Sequence, residues 1–65
     1  MKDLFVKIVR VGDIAKMEKI LNIYRVGLND WDKTKVFTYK DTDIVIYNIM
    51  CTREVFDAIK SAMKM

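Results

Sequence analysis

Between Lys33 and Cys51 two apolar runs flank the polar tetrad Lys40-Asp41-Thr42-Asp43. That arrangement predicts a β-hairpin, and in a short chain everything else must pack around it. A loop of two residues (Asp41-Thr42) or of four (Lys40 to Asp43) gives the same register. Tyr39 then faces Ile44, Thr38 faces Val45, Phe37 faces Ile46 and Val36 faces Tyr47. No Asn-Gly or Asp-Gly pair fixes the turn type.

The flanking segments supply one more strand and two helices. Leu4 to Val11 is β-branched and apolar, with Leu4, Val6 and Ile8 on one face and Phe5, Lys7, Val9 and Val11 on the other. Gly12 breaks that run, and Asp13 is placed to cap a helix. From Ile14 to Val26 the period becomes helical, with Ile14, Met17, Ile20, Leu21 and Tyr24 forming the apolar stripe. Ile23 falls outside the stripe, between Lys16 and Lys19. Gly27 offers a left-handed residue to end the helix. Leu28 to Asp32 reads as a loop carrying the sole tryptophan, Trp31, either as a lid over the core or as an anchor for a partner. After the hairpin, Thr52 caps a second helix from Arg53 to about Lys64. Its stripe is Val55, Phe56, Ile59, Ala62 and Met63, and Arg53 and Asp57 are spaced for a surface ion pair.

The expected fold is therefore α+β: a single compact β-α-β-β-α domain spanning residues 1–65, with a three-stranded antiparallel sheet and two helices. It is plait-like and lacks a fourth strand. Entry of the first strand beside the third would put both helices on one face, leaving the Leu4–Val11 edge free and the second face bare. Alternatively, one helix covers each face. Taking Phe37, Tyr39, Ile44 and Ile46 as core leaves Val36, Thr38, Val45, Tyr47 and Ile49 on the second face, joined by Phe5, Lys7 and Val9. Sixty-five residues bury only about 60% of their unfolded surface, yet 52% of this chain is hydrophobic. Surplus apolar surface of that kind points to self-association.

Chemistry is narrowly bounded. Without histidine and with one cysteine, Cys51, the usual zinc and transition-metal ligand sets and histidine-dependent triads cannot be built. Two glycines cannot form a phosphate-cradling loop. Asp30, Asp32 and Thr34 match the first positions of a calcium loop, but Lys35 stands where glycine is needed and Asp41 where a bidentate glutamate belongs. Cys51 precedes a helix N-terminus, and it reads as a buried structural thiol rather than a nucleophile. No catalytic, cofactor or metal site is expected, and no small-molecule substrate. A lone cysteine suggests a reducing compartment, and the absence of a signal-like start or a ~20-residue apolar run suggests a cytoplasmic protein that does not engage membranes.

Two functions remain. The first is a small non-enzymatic interaction protein, of a composition seen in phage and mobile-element proteins, that inhibits or regulates another protein, as a homodimer. Its contact residues would be Phe5, Lys7, Val9, Ile23, Trp31, Val36, Val45 and Tyr47. The alternative is a nucleic-acid-binding regulator, with a sheet face stacking bases and Lys16, Lys19, Lys33 and Lys35 meeting phosphates. The net charge of +3 decides nothing by itself, but acids dilute every basic cluster and no base-stacking signature is present, so a protein partner is preferred over nucleic acid.

Overall fold

The computed structural model describes residues 1–34 and 36–64. β1 (Asp3–Arg10) leads through a 3-10 turn (Val11–Asp13) into α1 (Ile14–Ile23). β2 (Trp31–Lys33), β3 (Phe37–Tyr39), β4 (Thr42–Cys51) and α2 (Arg53–Met63) follow. The sheet is antiparallel throughout, with β4 at its centre, β1 along one side of it and β2 and β3 in succession along the other. β1 and β2 thus run parallel, with β4 inserted between them.

The sheet has four strands where the hairpin pattern predicts three. Lys33 pairs with Tyr47 and Phe37 with Ile44, so the register against β4 shifts by one residue between β2 and β3, as at a β-bulge. The shift also flips the alternation: Trp31 and Lys33 share a face with Tyr47 and Ile49, whereas Phe37 and Tyr39 share one with Ile44 and Thr42.

The hairpin closes two residues tighter than the expected register. Tyr39 faces Thr42, Thr38 faces Asp43 and Phe37 faces Ile44. Lys40 and Asp41 form the loop, with φ of 49° and 64°. Two successive left-handed residues are the type I′ turn, whose twist matches that of the strands it joins. A slip by two preserves the face of every side chain, so Phe37, Tyr39, Ile44 and Ile46 still lie together.

α1 is shorter than its periodicity suggests and ends by a different device. Arg25, not Gly27, takes the left-handed conformation, at φ 58°. Its N–H donates to the Asn22 carbonyl (3.1 Å) and the Val26 N–H to that of Leu21 (2.9 Å). These are the two bonds of a Schellman motif, and buried Val26 joins Leu21 in the core as its apolar clasp. Arginine accepts an unfavourable backbone conformation here. Arg25→Gly should therefore raise stability by about 0.5–1 kcal/mol, read as a higher denaturant midpoint with an unchanged slope. Asp13 does not cap α1 through its side chain; it belongs to the 3-10 turn that feeds the helix. Thr52 does cap α2, accepting from the Val55 N–H at 3.2 Å. Asp57 pairs with Lys60 (3.5 Å) instead of the expected Arg53.

Both helices pack on one face of the sheet. Met17, Ile20 and Leu21 from α1 and Phe56 and Ile59 from α2 form a single cluster with Val9, Val45, Tyr47, Ile49 and Cys51. Phe5 stacks on Phe56 with ring centroids 4.5 Å apart, tying β1 to α2. Such a pair is worth about 0.5–1.5 kcal/mol beyond the area it buries. The alternative of one helix on each face is thereby excluded.

Candidate interaction surface

Alternation along β1 and β4 assigns every side chain to the helix side or to the open side. Phe5, Lys7 and Val9, with Val45, Tyr47, Ile49 and Cys51, lie beneath the helices. Leu4, Val6, Ile8 and Arg10, with Ile44, Ile46, Asn48 and Met50, occupy the open face, joined by Asp32, Phe37 and Tyr39. The predicted partition of residues into two faces holds, but the inner and outer faces are exchanged. Val9, Val45 and Tyr47, expected to meet a partner, are core residues, and Phe5 and Lys7 are half-buried beside them. Tyr39 and Phe37, expected in the core, are exposed. Ile44 is buried in the middle of its row, between β1 and β3, and Ile46 is half-buried.

The open face is apolar on β1 and β3 and along much of β4, whereas β2 contributes only Asp32. Leu4, Val6 and Ile8 leave 62%, 56% and 57% of their surface in water. Phe37, Tyr39 and Met50 are likewise exposed. Together the six form an exposed apolar surface of the kind that is often functional on a monomer. None of the six was nominated from the sequence as a contact residue. A signal for them was present on β4, where Val45, Tyr47, Ile49 and Cys51 are unbroken by a polar residue while Asn48 interrupts the alternate set. The more continuously apolar set belongs inside.

Charge on this face sits at opposite corners. Arg10 stands at the β1 end nearest the hairpin turn, lining a cleft with Ile8, Tyr39, Lys40, Thr42 and Ile44. Asp32 stands diagonally across on β2, accepting from the Asn48 amide at 3.0 Å through one carboxylate oxygen. Neither Arg10 nor Asp32 has an ion partner among the described residues.

On the helix side a polar triad closes the core. The Tyr47 hydroxyl and the Lys33 ammonium both donate to Glu18 Oε2, each at 2.8 Å. The hydrogen bond from Lys33, then that from Tyr47, holds the Glu18 carboxyl below its ordinary value of 4.5. Burial, reinforced by the Glu18 bond, pushes the Tyr47 phenol above 10.0. Trp31 leans on the Tyr47 ring at 5.6 Å and is half-buried, as the lid reading requires. Cys51 is a buried free thiol, pushed up by burial and so a poor nucleophile.

The remaining predicted residues are dispersed. Ile23 is exposed on the outer side of α1, and Val36 is exposed between β2 and β3. Of the four lysines considered for phosphate contact, Lys33 is engaged by Glu18 and Lys16 donates to the Met63 carbonyl. Lys19 is exposed, and Lys35 lies outside the described residues. Asp30 is paired with Lys2 at 3.0 Å and Asp32 accepts from Asn48, and both border one shallow pocket with Leu4 and Met50. Among the described residues no group of three or more acidic, cysteine or histidine side chains is placed to hold a metal ion. Among the described residues no helix is long and apolar enough to cross a membrane. Comparison with protein-family models, with curated proteins and with solved structures finds no match to this chain.

Proposed function

We propose that this chain is a non-enzymatic interaction protein of a reducing, cytoplasmic compartment that works as a homodimer through its open sheet face and regulates or inhibits another protein. The observation that supports this reading is the bare apolar surface of Leu4, Val6, Ile8, Phe37, Tyr39 and Met50. Full burial of such side chains is worth about 1.5–3 kcal/mol each, a driving force that the chain's own two helices leave unused. Closed twofold dimers are the commonest way soluble proteins use a patch of this kind, because one surface serves both partners. A stable interface takes about 800 Å² per partner, which would draw in the polar rim of the face as well as its apolar side chains.

Self-association through the sheet leaves the helical side for the regulated protein. Exposed Leu28 there borders a cleft of about 400 Å³ lined also by Glu18, Asn22, Val26, Gly27 and Trp31. Sedimentation equilibrium tests the dimer. The wild-type chain should associate at micromolar concentration, and Val6→Lys, at the middle of β1's open side, should sediment as a monomer with an unchanged circular dichroism spectrum. A wild-type chain that stays monomeric at about 100 μM, where even a weak dimer would form, overturns the proposal.

A further inference from the structure

We infer that the second copy docks face to face with its strands crossing those of the first at a steep angle, each Arg10 opposite the Asp32 of its twin. The inference rests on the homodimer reading and adds an orientation to it. Arg10 pairs with Ile44 and Asp32 with Asn48, four residues apart on β4 or about 13 Å along the strand. Their strands flank β4 on opposite sides, roughly 10 Å apart. The midpoint between the two charges is the level of Ile46 on β4, which pairs with Ile8. A twofold axis in the interface plane over Ile46, oblique to the strands, carries each charge onto the opposite charge of the twin. Reflection across such an axis turns the strands nearly perpendicular, which is the orthogonal class of sheet packing.

The other two in-plane axes fail on electrostatic grounds. An axis along β4 lays Asp32 on Val6 of the twin and Arg10 on its Phe37. An axis across the strands lays Arg10 on Val6 of the twin and Asp32 on its Phe37. Each would take a charge out of water against an apolar side chain, with no partner to offset the desolvation. The oblique axis instead forms two Arg10–Asp32 pairs at the rim and sets Ile46 against its own copy at the centre. Steering by complementary corners is also what distinguishes this twin from an arbitrary apolar partner.

Charge reversal decides the matter by sedimentation equilibrium at low salt. Arg10→Asp alone and Asp32→Arg alone each place like charges at both rim contacts, so each variant should dimerise at least tenfold more weakly than wild type. An equimolar mixture of the two variants restores both attractive pairs, and it should form a heterodimer with affinity close to wild type. Both side chains are exposed, so the fold is expected to survive, as circular dichroism will show. Single variants that associate like wild type, or a mixture that recovers nothing, overturn the orientation. In that event the homodimer reading stands or falls separately, on whether wild type dimerises and Val6→Lys does not.

Discussion

Tyr47→Ala is expected to abolish cooperative folding at 37 °C. Tyr47 is fully buried at the centre of the sheet's helix side, packed by Trp31 and reaching Glu18 with its hydroxyl. Truncating a buried aromatic costs about 3–5 kcal/mol. The substitution also leaves Glu18 with Lys33 alone. A 65-residue domain has only about 3–10 kcal/mol in total, so most or all of it is spent. Tyr47→Phe separates the ring from the hydroxyl. Losing a hydrogen bond to a charged acceptor that keeps a second donor should cost about 1–2 kcal/mol, or roughly 7–15 °C in Tm. The pH profile distinguishes the two contributions. Because the folded Glu18 carboxyl lies below 4.5, its contribution is complete above that value and is lost as pH falls through the folded one. Because the folded Tyr47 phenol lies above 10.0, its contribution is complete below pH 10 and is lost as pH rises further. Tyr47→Phe should remove the alkaline loss and shrink the acid one, followed by thermal melts between pH 3 and 11.

The elements that were legible in the sequence are those fixed by local chemistry. Thr52 caps α2 because a hydroxyl three residues before the Val55 N–H can reach it whatever the rest of the chain does. The stripes of α1 and α2 follow from helical period, except that Tyr24, just past the end of α1, is exposed, and Ile23 is exposed as the same period requires. The hairpin's partners were less accessible. Lys40 and Asp41 are not residues that favour left-handed backbone strongly, so the tight turn at their position carried no mark that distinguishes it from a turn one residue later. The register shift between β2 and β3 was invisible, since a one-residue offset leaves the composition of a β-branched strand unchanged.

The exchange of faces has a different origin. Alternation says which side chains travel together, and for β1 and β4 it did so correctly. It does not say which set the helices cover when both sets are apolar. Leu4, Val6 and Ile8 are as hydrophobic as Phe5 and Val9. The decision is made by tertiary fit: Phe5 finds Phe56, and Tyr47 finds Glu18 and Trp31, pairings between residues 29 or more positions apart or held by separate elements. The polar residues gave conflicting clues, because Asn48 and Asp32 mark the open face while Lys7 interrupts the covered set on β1.

That exchange gives the molecule its sharpest test, a pair of neighbouring lysine substitutions on different faces of one strand. Val9 is 3% exposed and sits in the core cluster, whereas Val6 is 56% exposed on the open face. Val9→Lys forces an ammonium into the helix–sheet contact, where no carboxylate waits for it, at a cost of several kcal/mol. The chain should lose its cooperative unfolding transition and expose its core to a hydrophobic dye such as ANS. Val6→Lys adds the same charge three residues away, into water, and should leave the monomer's melting transition within about 0.5 kcal/mol of wild type once dimer dissociation is accounted for. If the inner face were the one carrying Leu4, Val6 and Ile8, the two outcomes would be reversed. Urea titrations of both variants, at a concentration low enough to keep wild type monomeric, separate the alternatives in one experiment. Higher concentration then asks the functional question of Val6→Lys alone, because only a variant that folds can report on what the open face binds.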